Sequence, residues 1–257
     1  MFFRASTVAV LAAFASSVLA APAPSKVEKR QGEVVGLGQE PSPTYTGRAY
    51  GNLELIASLL TAPLQLDRVA LLRDEDFVFD FRNPPGNIQV ATGNAGRVVV
   101  ANRKTFPALI GTGSGMAMGF LGPCGFNTPH THPRATELNV PVVGSLNTTM
   151  ILENGVRLVN NIVGTFQLVP FPQGAIHQEF NPDCGETIFV AAFNNEDFGT
   201  SQTADNFFRL ANDVVAASVG GNIVIDGRDV DQFRDMIPRN VAIGVEECLA
   251  KCGLAKR

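Results

Sequence analysis

From Gly93 to about Asn195 the sequence is a succession of short apolar runs cut by Gly, Pro and Asn: 97–101, 115–121, 138–143, 148–152, 157–162, 167–171 and 186–193. Runs of this length and spacing, with turn residues between them, predict the strands of an all-β sandwich or barrel. Asn154-Gly155 reads as a tight hairpin turn, because that pair readily takes the positive φ angles that match strand twist. Upstream the period differs. Leu53, Ile56, Leu59 and Leu60 fall at helical spacing and Pro63 ends the run, which predicts a short helix over 52–60. Phe77, Phe79 and Phe81 alternate with Val78, Asp80 and Arg82, predicting a strand after an irregular lead-in from Leu66. Beyond Thr203 helical spacing returns in three groups: Phe207, Leu210, Val214 and Val215; then Val230, Phe233 and Ile237; then Val245, Cys248, Leu249 and Cys252. Three short helices are expected to close the chain.

Composition adds that such a chain folds: 45% of its residues are hydrophobic and only 17% charged, unlike a disordered polymer. A formal net charge of -4, with no long Lys/Arg cluster, gives no field for a polyanion, so nucleic acid is excluded as a partner. Residues 1–20 carry Arg4, then an apolar stretch from Val8 to Leu19, then small residues at a cleavage point. This is the pattern of a signal peptide, and the stretch is too short for a membrane span of ~20 residues. Residues 21–30, ending in Lys29-Arg30, read as a pro-segment with a dibasic processing site, and 31–50 as an extended Gly/Pro/Ser-rich arm.

Export places the four cysteines in an oxidising compartment, where they allow three disulfide connectivities. Cys248 and Cys252, four apart on one face of a terminal helix, are close enough to bridge with some adjustment. Cys124 and Cys184, each at the edge of a histidine-bearing segment, would then form the second bridge; free thiols or another pairing are the alternatives. Asn147-Thr148-Thr149 is a glycosylation sequon expected in an accessible turn after Gly144.

The protein has three histidines, all in two short segments: His130 and His132 in 128–137, and His177 in 172–177. Residues two apart on a strand point to the same face, so His130 and His132 can reach one ion. Pro133 interrupts the ladder, and Glu137 follows at a distance that lets the chain return a carboxylate to the same point. Three imidazoles and one carboxylate suit Mn(II), Fe(II), Ni(II), Cu(II) or Zn(II) better than Ca(II).

The run 124–137, with Gly144 beyond it, resembles the first signature box of the germin branch of the cupins, and 172–181 resembles the second. The chain is identified as similar to the fungal and slime-mould spherulin-like monocupins. That resemblance implies an all-β cupin jelly-roll barrel (51–200), with a short N-terminal helix and a C-terminal helical extension (201–257). It also implies manganese held by His130, His132, Glu137 and His177. Two departures from the family pattern stand out. Gly164 precedes Pro172 by eight positions, implying a small insertion or bulge in the second box. Germins that oxidise oxalate hold it partly with asparagines; Asn127 matches one and is the candidate catalytic residue, but Ala117 stands where the other would fall.

Four protein ligands leave two positions on a six-coordinate ion for a small acid, dioxygen or superoxide. The expectation is thus a germin-type oxidoreductase acting on oxalate, superoxide or another small acid. The alternative is a non-catalytic secreted spore- or wall-associated protein whose metal is structural. Arg134 either attracts acids or, more commonly for such a residue, pairs with a neighbouring carboxylate. In germins the C-terminal helices clasp neighbouring subunits, so the resemblance also implies a homo-oligomer.

Overall fold

A computed structural model describes residues 52–84, 90–219, 236–238 and 240–255. The expected signal peptide, pro-segment and arm, and Val230 and Phe233 of the second predicted C-terminal helix, lie outside the described residues. Twelve strands appear among those described. β1 (Val90–Gly93), β2 (Gly96–Ala101), β3 (Gly115–Leu121), β10 (Thr187–Phe193), β5 (Glu137–Val143) and β8 (Val169–Phe171) form one sheet in that order. The other runs β11 (Ser201–Gln202), β4 (Gly125–Thr131), β9 (Ile176–Phe180), β6 (Leu146–Ile151), β7 (Val159–Val163), with β12 (Val241–Ile243) also on β4. All pairs are antiparallel, and the two sheets make the jelly roll that the resemblance implied.

The alternation that predicted strands is the alternation that fills the barrel. Along β10, residues 187, 189, 191 and 193 are buried while 188, 190 and 192 are half-buried, the period of two expected of a strand with one face on a core. Leu121 on β3, Phe189 and Phe193 on β10, Leu146 on β6 and Val241 on β12 meet in one cluster, so both sheets contribute to it. Gly119 is where backbone and ring come closest: a Cβ there would overlap the Phe189 ring, which is buried. Gly119→Ala is therefore expected to destabilise the fold by about 1–3 kcal/mol through overpacking. An unchanged urea midpoint for that variant would mean the ring has room to move.

Three expectations are corrected. The segment 66–81 holds no strand: α2 (Gln65–Leu71) is followed by a 3-10 turn at Asp74–Phe77. Asp76, whose Oδ2 accepts from Arg73 N–H at 2.9 Å, closes that turn, and Phe79 packs on Phe106 without a partner strand to pair with. The connection between β6 and β7 spans 152–158 and is longer than a two-residue hairpin; Gly155 takes φ 87 but Asn154 does not join it at positive φ. The sequon Asn147 lies within β6, paired to both β7 and β9, not in a turn. Its neighbours Leu146 and Thr148 are buried, which leaves Asn147 half-buried on the other face of the strand.

The N-terminal helix is as read: α1 spans Leu53–Thr61, with Asn52 Oδ1 accepting from Leu55 N–H. The extra residues of the second box make a turn, in which Gln167 N–H bonds Gly164 O at 3.0 Å and Phe166 N–H bonds Pro141 O at 2.8 Å. After the barrel come α3 (Thr203–Phe207), α4 (Asn212–Ser218) and α5 (Glu246–Lys251). No described helix is long and apolar enough to cross a membrane.

The disulfide pairing is also corrected. Cys124 bonds Cys248 and Cys184 bonds Cys252. Cysteines four apart on a helix have nearly 6 Å between them and parallel side chains. Once α5 docks on the barrel each finds a partner there, at Cα separations of 5.7 and 5.4 Å that suit a disulfide.

Candidate metal centre

Pro129 cannot donate to the ladder, and the pairing of β4 with β9 shifts register between Asn127 and His130. After the shift His130 stands directly opposite His177, with ring centroids 4.2 Å apart. β4 ends at Thr131 and Pro133 lies in the turn that follows, so His132 sits on the way out of one sheet. Glu137 is the first residue of β5 in the other sheet. The four side chains are all buried, and one ligand atom from each lies within 4.8 Å of the others.

The orientation of each imidazole is set by the backbone. His130 Nδ1 lies 2.9 Å from Thr128 O, His132 Nδ1 2.6 Å from Gly199 O, and His177 Nδ1 2.9 Å from Ala175 O. A carbonyl only accepts, so each Nδ1 carries the proton and each Nε2 presents a lone pair. Glu137 Oε2 lies 2.8 Å from His132 Nε2 and 3.1 Å from His177 Nε2. The His132 contact is close but not aligned as a hydrogen bond, and His132 Nε2 has no hydrogen-bond partner among the described residues. Lone pairs and a carboxylate oxygen facing one another out of water repel unless a metal ion or a proton on an imidazole lies among them. The spacing suits metal–ligand bonds of ~2.1 Å, which put adjacent ligand atoms roughly 3 Å apart. The residues fit a divalent ion.

A layer of aromatic rings packs against the ligands. Phe171 stacks on His177 at 4.2 Å, Phe193 meets His132 edge-on at 4.6 Å, and Phe198 stacks on Phe193. On the other side lies a polar layer. Asn139 Nδ2 donates to Glu137 Oε1 at 2.9 Å and to Glu179 Oε1 at 3.3 Å, while Asn127 Nδ2 donates to Glu179 Oε2 at 3.1 Å. Asn127, the candidate catalytic residue, thus borders the site with its amide anchored by a second buried carboxyl. Glu179 was not singled out in the sequence, although the signal was there: it lies two residues past His177 on the same strand and so shares its face. Arg134 takes the paired role, its Nη2 2.8 Å from Asp197 Oδ1.

Burial and the neighbouring imidazoles of His177 and His132 push His130 down to about 3. For Glu137 burial opposes ionisation, but the contacts with His132 and His177 outweigh it and hold the carboxyl well below its usual range. Glu179 goes the other way: burial, then the Glu137 carboxylate, raise it well above that range.

These shifts set the acid response of the metal-free protein. Below pH 6.5 the unfolded chain binds a proton on His130 that the fold refuses, while between 4.5 and its raised folded value Glu179 keeps a proton in the fold that the unfolded chain loses, so the second slope opposes the first. Below 4.5 Glu179 is protonated in both states. His130 and Glu137 then both favour the unfolded chain, and stability is expected to fall at up to roughly 2.7 kcal/mol per pH unit. Glu179→Gln removes the opposing contribution, so its loss of stability on acidification should begin at a higher pH than that of the parent protein. Urea melts of both proteins across this range check the prediction, and coincident profiles would contradict it.

Comparison with known proteins agrees with the fold. The cupin family matches residues 83–227. Spherulin-1A of Physarum polycephalum is 42% identical over 202 residues, covering 79% of this chain and 80% of that protein. Germin-like protein 1-1 of Oryza sativa subsp. japonica is 31% identical over 178 residues, covering 68% and 81%. Among solved structures, an oxalate oxidase in complex with the substrate analogue glycolate superposes with a TM-score of 0.55 at 23% identity, covering 63% of this chain and 81% of that one; this shows the shared fold. The chain belongs to the cupin family. Within it, the chain is a germin- and spherulin-like monocupin.

Proposed function

We propose that this is an exported cupin that holds one divalent metal ion, manganese in the first instance, on His130, His132, Glu137 and His177 and acts on a small acid or an oxygen species. The observation that carries it is the convergence of three Nε2 lone pairs and the Glu137 carboxylate in a buried site. When bound, such an ion supplies Lewis acidity and, for manganese, iron or copper, one-electron chemistry. The chain's own residues do the rest. Backbone carbonyls fix the imidazoles, Asn139 orients Glu137, and Phe171, Phe193 and Phe198 exclude water from part of the shell. Asn127 borders the cleft that reaches His130, His132 and Glu137, and the amide hydrogen that it does not give to Glu179 would be its donor to a bound oxyanion.

Export is supported by the signal-peptide pattern together with two disulfides in a chain with no free cysteine among the described residues. Leu210 and Val214, exposed on the C-terminal segment, support a subunit contact there. Glycosylation at Asn147 would load the outer face of β6. A second reading, a structural metal, is favoured by one feature: the ligands come from both sheets, so an ion would stitch them together. Elemental analysis of the secreted protein, with assays for peroxide release from oxalate and for superoxide loss, decides between them. Metal with neither activity on any small acid supports the structural reading, and no metal at all rejects both.

A further inference from the structure

We infer that the cleft over the metal centre is built for a carboxylate much larger than oxalate: a chelating acid with an apolar, ring-sized body and a second negative charge at its far end. This rests on the metal reading above. The cleft measures about 750 Å3 and reaches His130, His132 and Glu137. Even at the ~30 Å3 that a water molecule occupies in the liquid, the six heavy atoms of oxalate fill roughly a quarter of it. The room comes from two alanines. Ala117 on β3 and Ala191 on β10 stand directly opposite in register, both buried and both lining the cleft. Longer side chains at this pair would fill the space in front of the ligands. Val98, Val100 and Phe193 continue this apolar part of the wall, against which a ligand body can pack, while Asn102, Thr105 and Gln202 make other parts of the lining polar.

The rim is different. Asp197, the acid there, is bound by Arg103 at 2.9 Å and by Arg134 at 2.8 Å. Lys104 also lines the cleft and has no ion pair among the described residues. The alanine, valine and phenylalanine patch thus selects for an apolar body, and the rim for a terminal anion, in a ligand whose other end carries the chelating carboxylate.

The test is calorimetric binding of glycolate, mandelate and 4-carboxymandelate to the metal-loaded protein, with metal content measured on each preparation. Mandelate is expected to bind about tenfold or more tighter than glycolate, and 4-carboxymandelate several-fold tighter again. Ala117→Phe, with Ala117→Val as the milder variant should the first fold poorly, brings the mandelate-to-glycolate ratio toward one. Lys104→Met removes the advantage of 4-carboxymandelate over mandelate. Loaded protein that binds glycolate and mandelate equally, or an Ala117→Val ratio as large as wild type, overturns this inference and leaves the metal reading standing. Protein that takes up no metal overturns both.

Discussion

Glu137→Gln is expected to lower affinity for manganese or zinc by more than about 100-fold while leaving the metal-free protein folded, with a smaller loss of stability at neutral pH than a truncation would bring. Changes in the groups that merely orient metal ligands already cost 10–100-fold, and this change removes a ligand charge outright. The stability half follows from the same geometry. In the metal-free state Glu137 is a buried carboxylate whose Oε2 faces two imidazole nitrogens, and Asn139 supplies a hydrogen bond to its other oxygen. A neutral amide of the same shape opens no cavity, and gives up only the contacts that favour the ionised carboxyl. The variant therefore separates loss of metal from loss of fold, which His177→Ala cannot do, because that change strips the ring stacked on Phe171. Titration with a chromophoric chelator reads the affinity and a urea melt reads the fold. Retention of metal by a well-folded Glu137→Gln protein would remove the carboxylate from the ligand set.

The centre was readable in the sequence because its ligands are rare and close together there. All three histidines lie in two segments, and strand periodicity alone aims His130 and His132 one way. Where polar chemistry enters a strand, however, the hydrophobic alternation that marks strands disappears. β4 reads Gly-Phe-Asn-Thr-Pro-His-Thr and β9 Ile-His-Gln-Glu-Phe, and neither was among the predicted apolar runs. The strands carrying function were thus harder to see than those carrying the core. Glu179 was missed for a related reason: a glutamate on a strand usually faces water, and only its burial between Asn127 and Asn139 gives it a role. The false strand at Phe77–Phe81 shows the converse, since alternation without a partner strand is satisfied equally well by a turn packed on Phe106.

The disulfides lay beyond sequence reading altogether, because their pairing depends on where α5 docks. They should also be the strongest covalent support of the barrel. Cys124 immediately precedes β4 and Cys184 follows β9, the two histidine strands, and both are tied to α5. The bridges close separations of 124 and 68 residues, long enough for each to contribute about 2–5 kcal/mol by restricting the unfolded chain. Replacing Cys124 and Cys248 together by alanine should cost more than replacing Cys184 and Cys252, because the first loop is longer and Cys248 is packed with Leu249 in a buried cluster. The effects should not add. While either bridge remains, α5 is still held against the barrel, so removing both should lose more than the sum of the single losses. Urea midpoints of the two paired variants and the fourfold variant measure this. Peptide mapping of the unreduced protein should find the segment holding Cys248 joined to that holding Cys124. A cross-link confined to the peptide containing Cys248 and Cys252 would return the pairing to the local one and take with it the tether between α5 and the histidine strands.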